Sequence, residues 1–384
     1  MSLALVNSRA RAGVSAPPVR VEVHLSGGLP STQIVGLPEA AVREARDRVR
    51  AAILCAQFEF PTRRITVNLA PADLPKDGGR FDLPIALGIL AASGQIRREA
   101  LAEYEFLGEL SLTGELRAVD GVLPAALAVA AAGRTLVVPE PSGAEAALAR
   151  QGQACTGRTL LEVCALLEGR KILPPAVAPP PLPPSIPDMA DVRGQAHARR
   201  ALEVAAAGGH HLLLIGSPGC GKTLLASRLP GLLPDASDAE AMESAAIASV
   251  SGRGLDPARW RQRPYRAPHH TASAVALVGG GAQPRREPLE SGTVTVSRAA
   301  RTAEFPARFQ LVAAMNPCPC GWAGDPSGRC RCGADVVRRY RSRLSGPLLD
   351  RIDLHVHVPR LPPHELRPDA PDGEGTTAVQ ARVV

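Results

Sequence analysis

The sequence predicts an α/β protein in which two domains are joined by a proline-rich linker. Strand-like and helix-like segments alternate over residues 20–138, as is typical of one α/β domain. Eight of the fifteen residues in 173–187 are proline, so this segment can be neither a regular helix nor a central strand. A buried strand, a glycine-rich turn and a helix follow at 211–229. We therefore expect a first domain at 1–172, a linker at 173–187 and a second domain at 188–384.

The elements of the first domain are predicted from hydrophobic periodicity. Strands are typical of short apolar runs, and helices of apolar positions repeated every three to four residues. The predicted strands are 21–23, 65–69 and 135–138, and the predicted helices are 38–56, 83–93 and 121–132. For the proline-rich segment, a semi-rigid extended linker is the favoured interpretation. A proline-rich ligand for a partner domain is the alternative.

Composition is that of a globular protein. Hydrophobic residues make up 45% of the chain and charged residues 21%, while aromatic residues make up only 3%. Since aromatic residues are scarce, the cores must be built from Ala, Val, Leu and Ile. No apolar run reaches the length of a membrane span, and the first residues lack a signal-peptide layout, so we expect a cytoplasmic protein with no membrane partner. The net charge of +7 is weak support for an anionic partner such as nucleic acid.

Residues 216–223 read GSPGCGKT and match the phosphate-loop pattern G-x-x-x-x-G-K-[ST] in full. The glycines let consecutive backbone N–H groups point at one anion, and a helix predicted at 222–229 favours negative charge at its start. A chance glycine-rich turn is the alternative, but the preceding strand and following helix argue against it. We expect the loop to bind nucleotide phosphates through Gly216, Ser217, Pro218, Gly219, Cys220, Gly221, Lys222 and Thr223. Lys222 can reach the β- and γ-phosphates, and the Thr223 hydroxyl can ligate Mg²⁺.

Four of the eight cysteines form two C-x-C pairs in the segment CPCGWAGDPSGRCRC, residues 318–332. Four thiolates in a Gly/Pro-rich loop can bind Zn²⁺ tetrahedrally. Four reduced cysteines in a surface loop are the alternative, and the spacing leaves both open. The candidate ligands are Cys318, Cys320, Cys330 and Cys332.

The segment 261–281 is basic, flanked by glycine, and contains His269 and His270. Loop packing or phosphate contact is favoured over metal binding by the paired histidines, because no Cys, Asp or Glu lies close in sequence. Three arginines here can meet DNA phosphates, although solvated surface charge is the alternative. They are Arg261, Arg263 and Arg266.

Three further segments carry a family resemblance. They are DMADVRGQAHARRALEVAAAGGHHLLLIG at 188–216, FQLVAAMNP at 309–317 and RLSGPLLDRIDLHVHV at 343–358. With the phosphate loop, they resemble the magnesium-chelatase-like ComM/YifB family of AAA+ ATPases. The resemblance implies ATP and Mg²⁺, and it places Gln195 near the adenine.

The same resemblance implies two catalytic residues. Asn316 corresponds to the sensor that contacts the γ-phosphate and the attacking water; a strand-end cap is the alternative. Arg351 corresponds to an arginine finger that reaches the nucleotide of a neighbouring subunit; a surface ion pair with Asp350 or Asp353 is the alternative.

One motif of such ATPases is missing from the sequence. An apolar strand should end in Asp, which holds Mg²⁺, followed by Glu, which orients water. In the family, a segment of the pattern LFLDELPEF separates the counterparts of GGGAQP and REPLESG, which here abut near 284–286. We therefore expect one central strand of the parallel sheet to be deleted, with weak ATP binding and almost no hydrolysis. We also expect this chain to lack the helical lid with a sensor arginine that follows in the family.

Residues 20–138 resemble the family's N-terminal domain, which is similar to the proteolytic domain of Lon. The serine and lysine of such a protease should lie just after 76–78 and just after Gly121. The chain has Gly79, Arg80 and Phe81 at the first position and Val122, Leu123 and Pro124 at the second. Since Ser93 lies at a predicted helix end, we expect a non-proteolytic scaffold or a collar that faces DNA.

The resemblance also implies a function. Family members form hexameric rings, and ComM is a DNA branch-migration helicase that acts in homologous recombination and natural transformation. A magnesium-chelatase-type motor for porphyrin metallation is one alternative, against which the Lon-like N-terminal domain argues. A degenerate, non-hydrolysing ATP-binding regulatory protein is the other, and the missing acidic motif favours it.

Overall fold

The computed structural model describes residues 3–36, 40–74, 76–183, 185–252, 254–268, 288–298, 301–362, 365 and 373–384. The chain divides into two compact units. The first comprises Met1–Leu182, Glu240–Trp260 and Val296–Phe305, and the second comprises Pro183–Ala239, Arg261–Thr295 and Pro306–Val384. Residues 240–260 belong to the first unit although they follow the phosphate loop in the chain, and no sequence pattern predicts this.

A seven-stranded mixed sheet forms the centre of the first unit, in the order β3-β4-β2-β1-β5-β8-β9. The β1–β2 and β2–β4 pairs are antiparallel, whereas the other neighbours are parallel. Alternate residues of β2 are buried, which is the pattern of a strand with one face on the core. The strands of this sheet are β1 (Leu3–Arg9), β2 (Pro18–Ser26), β3 (Ser31–Val35), β4 (Arg64–Ala70), β5 (Tyr104–Phe106), β8 (Thr135–Pro139) and β9 (Gln153–Gly157). A small hairpin pairs β6 (Glu109–Leu110) with β7 (Leu116–Arg117).

Helices cover the sheet, and their apolar side chains form the core with it. Every residue of α2 is buried, because its sequence DLPIALGILAA is apolar on all sides after the first position. Predicted and observed elements agree within a few residues, so the α/β prediction is confirmed. The helices of this unit are α1 (Ala40–Cys55), α2 (Asp82–Ala92), α3 (Val122–Ala131), α4 (Gly143–Ala146), α5 (Leu160–Leu167) and most of α9 (Asp238–Val250).

The described residues of the proline-rich segment form no helix or strand. Its first residues are nevertheless fixed, because the backbone N–H of Thr156 donates to the Pro174 carbonyl at 2.9 Å and that of Ala176 donates to the Ala154 carbonyl at 2.8 Å. Leu173 is buried in the core of the first unit. The predicted linker thus begins as a segment attached to the edge strand β9.

The second unit is built on three parallel strands in the order β13-β10-β14. The central strand β10 is buried, and its residues LLLI are the apolar run that precedes the glycine-rich loop. Helix α13 (Thr376–Val383) packs against α6 (Ala196–Gly208) and α8 (Leu229–Leu232). The strands of this sheet are β10 (Leu212–Ile215), β13 (Val312–Met315) and β14 (Leu354–His357). A separate two-stranded sheet pairs β11 (Thr293–Arg298) with β12 (Arg301–Pro306), and most of its residues belong to the first unit.

The remaining helices include one correction. The single helix predicted at 222–229 is wrong: the structure has α7 (Lys222–Ala226) and then α8 (Leu229–Leu232), which starts at Leu229 with Pro230 in its first turn. Proline has no N–H to donate in a continuous helix, so the break falls just before it. The others are α6 (Ala196–Gly208), α10 (Pro288–Ser291), α11 (Ala334–Arg341), α12 (Gly346–Asp350) and α13 (Thr376–Val383). Of the described helices, none is both long and apolar enough to cross a membrane.

Candidate nucleotide site and cysteine cluster

The loop between β10 and α7 has the backbone of an anion cradle. Gly219 has φ +77° and Gly221 has φ +95°, a left-handed region that disfavours other residues. At Gly216 a Cβ atom would lie 2.4 Å from the Val358 carbonyl oxygen and 2.7 Å from the Cys220 sulfur. Only glycine therefore fits at this close approach to β14. The first N–H groups of α7 have no partner within the helix, so they are available to an anion.

The ammonium of Lys222 lies within this loop. It donates to the carbonyl oxygens of Gly216 at 2.7 Å and Ser217 at 2.9 Å, and to the amide oxygen of Asn316 at 3.2 Å. Asn316 directly follows β13, the parallel neighbour of β10. Since parallel strands end at the same edge of a sheet, the two residues meet although they are 94 positions apart. The structure thus brings together the phosphate-loop lysine and the predicted sensor.

Gln195 connects the loop to the segment after β14. Its amide nitrogen donates to the Pro359 carbonyl at 2.7 Å and to the Cys220 carbonyl at 3.3 Å. The residue is buried and has φ +50° at the start of α6. Its side chain therefore has a structural function in the loop, and its placement near an adenine stays a prediction.

Thr223 lies in the first turn of α7 with an exposed side chain. Its hydroxyl can ligate Mg²⁺, and the loop fits the phosphates that would share the ion. The loop positions between Gly216 and Gly221 differ in exposure: Ser217 and Cys220 are buried, whereas Pro218 and Gly219 are exposed.

Arg351 contacts its own helix. It ends α12, and its guanidinium donates to the Pro347 carbonyl at 2.8 Å. Among the contacts described for this residue, none joins it to the phosphate loop of its own chain. That position is compatible with a finger directed at a neighbouring subunit, which stays a prediction.

The four clustered cysteines come together in space. All four sulfurs lie within 4.8 Å of one another. The Cys318 sulfur is 3.3 Å from that of Cys320 and 3.9 Å from that of Cys330, and the Cys320–Cys330 distance is 3.7 Å. Tetrahedral zinc with Zn–S bonds of about 2.3 Å places its sulfurs about 3.8 Å apart. The cluster therefore has the dimensions of a metal site, and every cysteine in it is a free thiol.

Backbone donors surround the sulfurs. The N–H of Ala323 donates to the Cys318 sulfur at 3.3 Å. The N–H of Trp322, with the Cys318 thiol, lowers the pKa of Cys320 to about 6, which favours the thiolate form of this residue. A thiolate is the form that binds metal.

The cysteine loop, residues 318–332, packs against the phosphate loop. The sequence predicted each loop but not this packing. A Cβ atom on Gly321, which has φ +84°, would lie 2.7 Å from the Pro218 ring. Bonds from Ser327 lower the pKa of Asp325, and the Ser217 side chain, which faces the same carboxylate, contributes to this shift. The turn-forming residues DPSG were visible in the sequence, but their partner in the phosphate loop was not.

The basic segment is only partly described. Arg261 forms an ion pair with Asp238 at 2.7 Å, and the Arg263 guanidinium donates to the Pro234 carbonyl at 2.8 Å. Arg266 is exposed. His269 and His270, like the junction near 284–286, lie outside the described residues.

The positions at which a Lon-like protease would carry its serine and lysine are part of a 3-10 turn and of a buried helix start in this chain. Gly79, Arg80 and Phe81 form a short 3-10 turn, and Val122 and Leu123 are buried in the first turn of α3. The Ser93 hydroxyl donates to the Leu90 carbonyl at 3.0 Å at the end of α2. Its engagement there is that of a helix-end residue.

Comparison with known proteins identifies the family. The family model described as subunit ChlI of Mg-chelatase matches residues 21–142, and the one described as magnesium chelatase, subunit ChlI, matches 188–286 and 284–366. Competence protein ComM of Haemophilus influenzae is 48% identical, over all of this chain and 82% of its own length. Protein YifB of Salmonella typhimurium is 47% identical, over all of this chain and 81% of its own length, as is protein YifB of Escherichia coli.

The chain belongs to the magnesium-chelatase-like ComM/YifB family. It is thus a ComM-type AAA+ protein, as the sequence motifs predicted, and ATP and Mg²⁺ are the ligands that membership implies. The match of the second ComM/YifB unit comes in two pieces that meet at 284–286. The alignments to ComM and to Salmonella YifB extend over 419 and 414 positions, whereas this chain has 384 residues. They therefore include positions at which this chain has no residue.

Proposed function

We propose that this protein binds ATP at residues 216–223. We also propose that its family role is that of a DNA branch-migration motor in homologous recombination and natural transformation, which relatives with the complete set of motifs perform. The observation that carries nucleotide binding is the contact between Lys222 and Asn316 above a loop in which Gly216 cannot be replaced. The relative named competence protein ComM supports the transformation role. We further propose that intact relatives assemble into hexameric rings and that the partner is branched or single-stranded DNA.

Different groups of the site would contact different parts of the bound nucleotide. The loop N–H groups and the Lys222 ammonium bind the phosphate oxygens, with Lys222 exchanging its carbonyl partners for the β- and γ-phosphates. The Asn316 amide, held beside Lys222, lies where it can orient a group near the terminal phosphate. Mg²⁺, which Thr223 would help to hold, neutralises charge on the phosphates when it is bound. Arg351 would act on the nucleotide of the next subunit.

We propose that hydrolysis is impaired in this chain. Neither the sequence nor the described residues provide an apolar strand that ends in Asp-Glu. Strand β13 supports a deletion beside it: β10 pairs with one side of β13, and no described strand pairs with the other. Ala314 in β13 is exposed, unlike the buried residues of β10. An unpaired, half-exposed edge is what removal of a neighbouring strand would leave. This observation also favours the second candidate, a non-hydrolysing ATP-binding regulator.

We also propose that the cysteine cluster binds structural zinc. The sulfur separations of 3.3, 3.7 and 3.9 Å bracket those of a tetrahedral zinc–thiolate site. Backbone N–H groups already donate to the sulfurs, as outer-shell groups do around metal-bound thiolates.

Three measurements test the function. Titration with a fluorescent ATP analogue should give saturable binding, and steady-state assays with branched DNA should give almost no phosphate release. Binding to a four-way DNA junction should weaken steeply with salt if the protein contacts DNA phosphates. Absence of nucleotide binding would contradict the ATP site, and turnover typical of an AAA+ motor would contradict the proposed impairment. Junction binding that is insensitive to salt would contradict the DNA role.

A further inference from the structure

The cysteine loop begins directly beside the predicted sensor in the chain. Only Pro317 separates Asn316 from Cys318, the most buried of the four cysteines. The Arg341 guanidinium of α11 donates to the Pro317 carbonyl at 3.3 Å, which fixes this connection from the other end of the loop. The cysteine cluster thus begins two positions along the chain from Asn316, whose amide contacts Lys222.

Two contacts bring the same loop against the phosphate cradle. The Gly321 backbone lies so close to the Pro218 ring that a Cβ atom would come within 2.7 Å of it. The Asp325 carboxylate faces the buried side chain of Ser217, which helps to lower its pKa. Both phosphate-loop residues precede the glycines with positive φ. The cysteine loop therefore supports one wall of the cradle.

Trp322 supplies a third contact. Its ring lies under the guanidinium of Arg329 at 4.9 Å and under that of Arg360 at 5.9 Å. Arg360 follows β14 closely, and the Val358 carbonyl in between contacts the backbone at Gly216. Cation–π contacts of this kind contribute modestly, but here they connect the cysteine loop to the backbone that closes the cradle.

We propose that a zinc ion bound by Cys318, Cys320, Cys330 and Cys332 controls the nucleotide affinity of the phosphate loop, so that loss of the metal weakens nucleotide binding. This inference rests on the proposed nucleotide site and zinc site. The segment 318–332 forms no described helix or strand, so a metal that cross-links its two ends adds a constraint to the contacts with Pro218 and Arg360. Without that constraint, Ser217 and Pro218 lose their partners and Asn316 loses its fixed position.

The first experiment uses the full chain in Mg²⁺-containing buffer. Zinc is measured by mass spectrometry after purification and then removed with a zinc-selective chelator. The affinity for a fluorescent ATP analogue is measured before removal, after it, and after zinc is added back. We expect one zinc per chain and a reversible loss of affinity on the order of tenfold, within the range usual for coupled sites. Equal affinities in the zinc-bound and zinc-free protein would overturn the coupling.

Coupling must be reciprocal, which provides a second readout. If zinc tightens nucleotide binding by some factor, nucleotide must tighten zinc binding by the same factor. Competition against a colorimetric zinc chelator, with and without a saturating amount of the same ATP analogue, measures this directly. Unequal factors would mean that chelation acts on the protein in some other way.

Variants separate the contacts from the metal. Asp325→Ala and Trp322→Ala should keep zinc and bring the nucleotide affinity towards the zinc-free value. In both, removal of zinc should then have little further effect. Cys330→Ser/Cys332→Ser should lose zinc and reproduce the chelated protein. Cys55→Ser/Cys155→Ser, in the first unit, is the matched cysteine control and should keep both properties.

The possible failures are distinguishable. If the wild-type protein binds no nucleotide at any zinc level, the proposed function fails. If the protein contains no zinc and takes none up, the metal site fails. If both ligands bind with independent affinities, only the coupling is wrong.

Discussion

The Lys222 ammonium lies 3.2 Å from the amide oxygen of Asn316, and this contact joins the ends of two neighbouring parallel strands. It places the cation of the phosphate loop next to a neutral polar group that can donate as well as accept. A phosphate bound between them would meet both a positive charge and an amide. We therefore expect substitutions of Lys222 and of Asn316 to change nucleotide affinity in different ways.

Lys222→Ala should abolish most nucleotide binding. A hydrogen bond from a charged donor contributes about 1.5 to 3 kcal/mol, so we expect affinity to fall by about tenfold or more. Titration with a fluorescent ATP analogue measures the change. Lys171→Ala is the matched control, because Lys171 forms an exposed ion pair with Glu162 in the first unit and should not affect nucleotide binding. Retained affinity in the Lys222 variant would mean that the phosphates bind elsewhere.

Asn316→Asp and Asn316→Ala should differ in their effect on binding. The aspartate would place a carboxylate beside Lys222 and near the phosphates, so repulsion should weaken ATP binding more than alanine does. ADP should be less affected than ATP, because the sensor position is expected beside the terminal phosphate. The ratio of ATP to ADP affinity is the measurement. If the ratio is unchanged in the Asp variant, Asn316 does not face the γ-phosphate.

Insertion of the missing segment should restore hydrolysis. A chimera that carries the family pattern LFLDELPEF with its flanking residues, inserted between Pro284 and Arg286, should turn over ATP at least about tenfold faster than this chain, because it regains the carboxylates that hold Mg²⁺ and orient water. The same chimera with Asn and Gln in place of the Asp and Glu separates chemistry from restored packing. If the control chimera is equally active, the acidic pair is not the missing element.

The restored chimera also tests Arg351. Since the Arg351 guanidinium donates to the Pro347 carbonyl within its own helix turn, Arg351→Ala should leave nucleotide affinity unchanged and reduce turnover. Mixing Arg351→Ala with Lys222→Ala chains should recover part of the activity, because each can supply what its neighbour lacks. Turnover without recovery on mixing would argue that Arg351 acts within one chain.

The phosphate loop, the sensor strand and most elements of the first unit could be predicted from the sequence because their signals are local. The pattern GSPGCGKT prescribes its own backbone, and LLLI and VAAM have the apolar character of parallel strands. The contact of Asp325 with Ser217 could not be predicted, since it joins residues from two loops whose local patterns indicate only turns.

Neither could two features of packing. Asp188 accepts hydrogen bonds from the backbone and hydroxyl of Thr376, 188 positions away, and so fixes α13 in the second unit. Residues 240–260 pack with the first unit although they follow the phosphate loop in sequence. Such pairings depend on surface complementarity between distant segments, which no short sequence pattern encodes.

Asp82 predicts an unusual pH dependence for the first unit. Burial raises the pKa of this carboxyl to about 6, against the opposing effect of its ion pair with Arg48 at 2.7 Å. An unfolded chain titrates Asp near a pKa of about 3.9, so between these values the folded protein binds more protons. The contribution of Asp82 to stability therefore falls as the pH rises from about 4 to about 6. A shift of about two pKa units corresponds to about 3 kcal/mol.

Chemical denaturation of the wild type and Asp82→Asn at pH 4 and pH 7 measures this contribution. The wild type should lose about 3 kcal/mol relative to the variant between the two pH values, because asparagine does not titrate. Arg48→Ala removes the attraction that opposes burial, so its loss of stability should continue above pH 6. Asp47→Asn is the control, because Asp47 forms an exposed ion pair with Arg46 on α1, the helix that carries Arg48. This variant should keep the loss of stability that Asp82 causes. If the wild type instead gains stability over the variant as the pH rises, the Arg48 ion pair outweighs burial at this site.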